Sequence, residues 1–162
     1  MMQLRFLCAA GLLLWLGLSG CLRDTSEVVQ PDLAAQFSQE LRDIRDYVAD
    51  NNLDGYYTPD SVFISLSDEG EGTDTPNLNS NVTVIYRGYL LDGTEFDSSN
   101  GEEVTFPLRN LIRGWQIALQ EFPRGAQATI LIPSVHGYGA RDAAGIPPYS
   151  TLVFDLTLVD FD

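Results

Sequence analysis

One short amphipathic segment constrains the fold of this chain, because the stretches on either side of it have the alternating pattern of β-strands. Residues 111–122 (LIRGWQIALQEF) place apolar residues at the i, i+3, i+4, i+7 spacing of one helical face: Trp115, Ala118, Leu119 and Phe122. Pro123 ends this pattern, since proline lacks the backbone donor that a helix needs. We therefore expect a single core helix that lies under a sheet.

The flanking segments predict an antiparallel sheet. Strand patterns occur in residues 61–67, 82–97, 103–108, 127–132 and 151–160. The turn residues Asp92 and Gly93 split the second segment into a strand pair. Runs of strands interrupted by one helix predict an α+β domain with five to six antiparallel strands, not a βαβ architecture. Residues 133–150 form a long Gly- and Pro-rich connection, and a loop of this size in a compact domain is usually functional or disordered.

A further helix is predicted ahead of the sheet. Residues 32–50 carry apolar residues at helical spacing, and Asp32 has the side chain of a typical N-cap. Residues 51–55 end the helix with turn-forming residues. From its sequence this helix is a spacer, an arm packed on the domain, or a dimer contact.

The N-terminal segment has the layout of an export signal. Arg5 precedes an apolar run, residues 6–18, that is too short for a comfortable membrane span. The run ends in LSGC at residues 18–21, which resembles the lipobox of bacterial lipoproteins; the alternative is an ordinary small-residue cleavage site. The resemblance implies that Cys21 is lipidated and anchors the protein to a membrane of the bacterial cell envelope. Leu22 replaces the Asp that retains some lipoproteins in the inner membrane, which favours the outer membrane, facing the periplasm.

The charge balance argues against two classes of partner. The formal net charge is −14 at pH 7, and removal of residues 1–20 makes it −15, because Arg5 is the only charged residue in that segment. Every basic side chain except the single His136 is an arginine. So acidic a chain repels nucleic acid and anionic lipid head groups, and we expect neither as a partner.

Several motifs, in a fixed order, carry a family resemblance. They are YRGYLLDGTEFDSS at residues 86–99, IRGW at 112–115, YG at 138–139 and IPPYSTLVF at 146–154. Together they closely resemble the FKBP-type peptidyl-prolyl cis-trans isomerases, from about residue 61 to the C-terminus. The resemblance implies a twisted half-barrel sheet wrapped around one short helix, with a shallow apolar pocket for a prolyl residue between them.

With this resemblance the chain divides into four parts. We expect a lipoprotein signal peptide at residues 1–20, a lipidated cysteine and linker at 21–31, an N-terminal helical arm at 32–55 and an FKBP-type isomerase domain at 56–162.

The resemblance also implies the site residues. It assigns catalysis to Tyr86, Asp97, Tyr138 and Phe154, and substrate binding to Tyr86, Phe96, Leu111, Ile112, Trp115, Ile146 and Phe154. Trp115 is then the floor of the pocket, and Tyr86, Phe96 and Phe154 are its walls. Each of these aromatic residues has a second interpretation as an ordinary core residue.

The polar roles have alternatives as well. By the same resemblance, Ile112 offers its backbone N–H and Tyr138 its hydroxyl to substrate carbonyls, while Asp97 sets the polarity beside the twisting amide. In the alternative interpretation, Asp97 is a turn residue that accepts hydrogen bonds from backbone N–H groups, and Tyr138 only stabilises its own loop. Gly114, beside Trp115, leaves room for a close approach to the indole.

The implied activity is cis-trans isomerisation of X-Pro bonds in exported or envelope proteins. It requires no nucleophile, metal or cofactor, because rotation about the peptide bond forms no covalent bond. Macrolides of the rapamycin type are a second implied class of ligand. The chain departs from the family pattern in the short connection 98–103, at Val104 and at residues 142–144, and these departures bear on substrate preference and macrolide affinity. The alternative function is a lipid-anchored peptide-binding or holdase module with little turnover.

Overall fold

The computed structural model describes residues 32–143 and 145–162. The predicted signal peptide, Cys21 and the linker to residue 31 lie outside the described residues. Within the described ranges, no helix is long and apolar enough to cross a membrane.

Two α-helices and one antiparallel sheet make up the fold. Helix α1 spans Leu33–Asp50 and α2 spans Arg113–Leu119, and single 3-10 turns lie at Leu108–Asn110 and Ser134–His136. The strands are β1 (Tyr56–Tyr57), β2 (Phe63–Asp68), β3 (Asn81–Leu90), β4 (Glu95–Ser98), β5 (Val104–Pro107), β6 (Gln127–Ile132) and β7 (Leu152–Phe161). They are hydrogen-bonded in the order β1-β2-β6-β7-β3-β4, with β5 also paired to β3, and the sheet does not close. The predicted α+β class and antiparallel sheet are confirmed.

The sheet has seven strands, where five to six were predicted. The additional strand is β1, whose residues Tyr56 and Tyr57 pair with Ile64 and Phe63. Two residues are too few to show an alternating pattern, so this edge strand has no signature in the sequence. Strands β4 and β5 share one edge of the sheet, because β5 pairs with the first half of β3 and β4 with its second half.

The larger core lies between α2 and one face of the sheet. The predicted helical face is confirmed, since Trp115, Ala118, Leu119 and Phe122 are all buried. Ile117 is off that face and is buried too, so the helix is enclosed more widely than its spacing indicates. The helix is shorter than predicted: it starts after Ile112, whose backbone is extended, and residues 120–122 form turns after Leu119.

Helix α1 packs on the opposite face of the sheet. Its N-cap is Asp32, as predicted, with the carboxylate accepting hydrogen bonds from the N–H groups of Ala34 and Ala35. Ile44 joins a second buried cluster with Phe63, Leu131 and Val153 of the strands. Of the three roles considered for this helix, packing on the domain is therefore the one seen.

We expect Ile44→Ala to lower the free energy of unfolding by about 2–5 kcal/mol, because it opens a cavity between α1 and the sheet. Ile44 is fully buried, whereas Leu33 on the same helix is 64% exposed. Leu33→Ala is the control and should change stability by less than about 0.5 kcal/mol. Urea unfolding followed by circular dichroism measures both. Equal losses in the two variants would mean that α1 does not pack on the sheet as described.

Candidate active site

A cavity of about 360 Å³ opens between the N-terminal end of α2 and the sheet. Its lining consists of Tyr86, Phe96, Asp97, Phe106, Asn110, Leu111, Ile112, Trp115, Tyr138 and Phe154. Strands β3, β4, β5 and β7 supply the aromatic walls, and the extended residues before α2 supply one rim. Tyr138 reaches the cavity from the long loop that follows β6. The lining is largely apolar, so the cavity suits an apolar group better than a charged one.

Edge-to-face packing fixes the aromatic side chains. The Trp115 ring meets those of Tyr86 and Phe154 almost at right angles, with ring centroids 5.2 Å apart in both pairs. Phe96 meets Phe154 in the same way at 5.5 Å. This arrangement places the positive edge of one ring against the negative face of the next, which is favourable and directional. Trp115 therefore forms a rigid floor, and the other three rings form walls.

Gly88 leaves room for the rings of Phe96 and Phe154. A Cβ atom at this position would lie 2.6 Å from Cε1 of Phe154 and 2.8 Å from Cε2 of Phe96. Both distances are shorter than van der Waals contact, so any side chain would displace one of the rings. Glycine in the middle of β3 is thus required by the two rings and not by a turn.

A hydrogen bond joins the two polar side chains on one side of the cavity, Tyr86 and Asp97. The Tyr86 hydroxyl donates to Oδ2 of Asp97 at 2.8 Å. Burial, this hydrogen bond and the negative charge of Asp97 raise the pKa of Tyr86 to about 12. The phenol therefore stays protonated through the neutral range and keeps its proton directed at the carboxylate.

Three donors at the cavity lack partners. The N–H of Ile112, the hydroxyl of Tyr138 and the indole N–H of Trp115 form no hydrogen bond within the described ranges. Ile112 and Tyr138 are half-buried residues that line the cavity, whereas the indole N–H of Trp115 is buried, where an unpaired donor is costly. The Ile112 N–H and the Tyr138 hydroxyl are therefore the donors suited to the carbonyl groups of a bound polypeptide.

The structure brings together all the predicted catalytic and substrate-binding residues except one. Ile146 does not line the cavity; it is 3% exposed and belongs to the core beside it. Two lining residues were missed, Phe106 and Asn110. Phe106 could have been found from the alternation of β5, which puts it on the same face as Val104. Val104 itself packs against the core and does not line the cavity.

Gly114 also has a packing role against the sheet. A Cβ atom there would collide with the side chain of Ile132 on β6. The glycine lets α2 approach the sheet closely at Ile132.

Comparison with known proteins identifies the family. A family model described as FKBP-type peptidyl-prolyl cis-trans isomerase matches residues 72–159, which is more than half of the 162-residue chain. The chain belongs to the FKBP-type peptidyl-prolyl cis-trans isomerase family. The family predicted from the motifs is thereby confirmed, and the cavity residues of this FKBP domain all lie inside the matched range, whereas α1 lies outside it.

Individual relatives agree with this assignment. The FKBP-type 22 kDa peptidyl-prolyl cis-trans isomerase of Escherichia coli K12 is 45% identical over 106 residues, covering 64% of this chain and 51% of that protein. FkpA of the same strain, also named an FKBP-type isomerase, is 42% identical over 93 residues, covering 56% of this chain and 34% of its own length. The chain thus spans about a third to a half of the length of these curated relatives.

A solved structure matches over most of its length. The crystal structure of a peptidyl-prolyl cis-trans isomerase from Pseudomonas syringae pv. tomato superimposes with a TM-score of 0.68 at 32% identity. The superposition covers 82% of this chain and 98% of that one. The fold of this chain therefore matches that of a peptidyl-prolyl cis-trans isomerase over most of its length.

Proposed function

We propose that this protein catalyses cis-trans isomerisation of X-Pro bonds in exported or envelope proteins and so assists their folding. The observation that carries the proposal is the aromatic cavity, which has a rigid apolar floor and unpaired donors at its rim. Membership of the FKBP family supports the same activity.

An apolar cavity suffices for this reaction because no covalent bond changes. Rotation about the peptide bond is opposed by lost resonance, with a barrier of about 20 kcal/mol. The planar amide is the more polar species and is well solvated by water, whereas the twisted amide has a less polar carbonyl. A water-poor cavity therefore favours the twisted form over the planar form, which is differential binding of the transition state.

Some cavity residues would hold the proline ring, and others would act on the carbonyl that rotates. The rings of Trp115, Phe154 and Phe96 would enclose the proline ring and keep it still. The Ile112 N–H would bind a substrate carbonyl on one side of the proline, and the Tyr138 hydroxyl another. The carbonyl before the proline is then the part that turns, close to the Tyr86–Asp97 pair, which remains our candidate for stabilising the altered amide.

We also propose a lipid-anchored location. The LSGC sequence at residues 18–21 supports lipidation of Cys21, which would hold the protein at the cell envelope, with the outer membrane favoured by Leu22. Two or more acyl chains give stable anchoring, whereas one gives marginal binding. Mass spectrometry of the protein from a bacterial host, before and after Cys21→Ala, tests this point: an acylated N-terminal peptide is expected only with the cysteine.

The second candidate function is a peptide-binding or holdase module that uses the same cavity with little turnover. The unpaired donors would also suit a protein that only holds peptides. An isomerase assay on a proline-containing peptide, run beside an aggregation assay on a non-native protein, separates the two. We expect catalysis at substoichiometric enzyme, and inhibition by a macrolide of the rapamycin type if it fits the cavity. Suppressed aggregation without any acceleration of isomerisation would overturn the enzyme proposal.

A further inference from the structure

A buried carboxylate on α1 contacts the loop that carries Tyr138. Glu40 is 3% exposed, and its carboxylate oxygens accept hydrogen bonds from the N–H and the hydroxyl of Ser134, at 2.6 and 2.8 Å. Ser134 is also buried and lies 94 residues further along the chain. Glu40 takes part in no ion pair among the described residues. Burying a carboxylate without a cation is costly, so packing alone does not account for a glutamate here.

Ser134 in turn organises the backbone around Tyr138. Its carbonyl accepts hydrogen bonds from the N–H groups of Gly137 and Gly139, both at 2.9 Å. These two glycines immediately precede and follow Tyr138. Both sides of the tyrosine are therefore tied to a single residue, and that residue is held by Glu40.

We propose that Glu40 is a positioning residue for Tyr138. The carboxylate fixes Ser134, Ser134 fixes the backbone on either side of Tyr138, and the hydroxyl is thereby presented to the cavity. The hydroxyl itself forms no hydrogen bond within the described part of the chain, so its position depends on the loop backbone and on the packing of the ring against the core. Because α1 lies outside the matched family range, this link ties the activity of the FKBP domain to a helix that precedes it. The inference rests on the proposed function, in which Tyr138 binds a substrate carbonyl.

Two substitutions at Glu40 separate the hydrogen bonds from the charge. Leucine has a similar volume but removes both acceptors, so the loop loses its attachment. Glutamine keeps an acceptor for the Ser134 N–H. Its amide group can donate to the Ser134 hydroxyl, which can rotate to accept. We expect Glu40→Leu to lower kcat/KM about fivefold, since small misplacements of a positioned group reduce rates steeply. Glu40→Gln should retain most of the activity.

The control is Ile44→Ala, which is one turn further along α1 and destabilises the same helix without touching the loop. All variants are assayed with the same proline-containing peptide at a temperature where each is folded. Ile44→Ala should keep the parent kcat/KM. In a Tyr138→Phe background the effect of Glu40→Leu should largely vanish, because the hydroxyl that it positions is already gone. If Glu40 were purely structural, Glu40→Leu would lower kcat/KM by the same factor in both backgrounds. That result would overturn the inference.

Hydrogen exchange gives a readout that does not depend on turnover. We expect the Gly137 and Gly139 amides to exchange at least about tenfold faster in Glu40→Leu than in Ile44→Ala, whose exchange reports the loss of global stability alone. Unchanged exchange in Glu40→Leu contradicts the positioning role. A parent protein without isomerase activity would instead refute the proposed function, while the exchange data would still show whether Glu40 holds the loop.

Discussion

Replacing Phe154 with alanine is expected to lower kcat/KM for prolyl isomerisation by about two orders of magnitude. The Phe154 ring stands between Trp115 and Phe96 and contacts both edge to face, so its loss removes the wall that they share. Burial of a ring of this size against an apolar group contributes about 1.5–3 kcal/mol. About 2.7 kcal/mol corresponds to a hundredfold change in rate. The truncated wall also admits water, which restores the solvation of the planar amide.

Stability must be separated from this effect, because Phe154 is only 4% exposed. A buried phenylalanine replaced by alanine costs about 3–5 kcal/mol of stability, enough to unfold a marginal domain. The milder pair is Phe154→Leu and Phe122→Leu, since Phe122 is buried in the same core but does not line the cavity. Both should melt at lower temperature, and only Phe154→Leu should lose at least about tenfold in kcat/KM. Equal rates in the two leucine variants would identify Phe154 as a core residue alone.

The periodic parts of the fold could be predicted from the sequence because burial there repeats with the local geometry. In β7 the predicted inward residues Leu152, Phe154, Leu156 and Leu158 are all buried. Period-two alternation marks one covered face, and the spacing of α2 likewise marks its buried face. The limits of this signal are visible in the same elements. Val153 points to the opposite face of the sheet and is buried as well, because α1 packs on that face.

The rest of the site could not be predicted, because it depends on contacts between distant segments. Ile146 belongs to a motif that matches the family, yet the structure puts it in the core beside the cavity. The reason for Gly114 is a contact with Ile132, which no local pattern indicates. Motif matching identifies the neighbourhood of a site, whereas the direction of each side chain depends on the packing of elements that are far apart in sequence.

Glu40 is the exception that had a local signal. It lies between Phe37 and Ile44 at i+3 and i+4 spacing, which puts a charged residue on the apolar side of α1. Charged side chains are rarely buried unless something satisfies them, so a glutamate in this position indicates a specific partner. The partner, Ser134, could only be found once the loop and the helix were seen together.

Replacing Asp97 with valine is expected to lower kcat/KM about tenfold. Asp97 is exposed and lines the cavity, and in the proposed mechanism its charge would face the rotating carbonyl. If the amide changes by about a third of an elementary charge at about 4 Å, the interaction at an effective dielectric constant of about 20 is about 1.4 kcal/mol. That energy corresponds to the tenfold change. The valine suits β4, since β-branched residues favour strands, so the fold should be kept.

Asp155→Val is the matched control for this change. Asp155 is also an exposed carboxylate on a strand, and it accepts a hydrogen bond from the Thr129 hydroxyl at 2.7 Å, close to the 2.8 Å of the Tyr86–Asp97 bond. It does not line the aromatic cavity. The control therefore loses a similar charge and a similar hydrogen bond, and its kcat/KM should stay within about twofold of the parent.

A double-mutant cycle with Tyr86→Phe then assigns the role of the charge. Tyr86→Phe removes the hydroxyl but leaves the ring wall, so we expect a loss of only about twofold to threefold. If the carboxylate acts on the amide itself, Asp97→Val still costs about tenfold in the Tyr86→Phe background. If it only orients the phenol, the second loss disappears, and the proposed electrostatic role of Asp97 is wrong. The cycle thus distinguishes a charge that favours the twisted amide from one that holds a wall residue in place, which a single substitution cannot do.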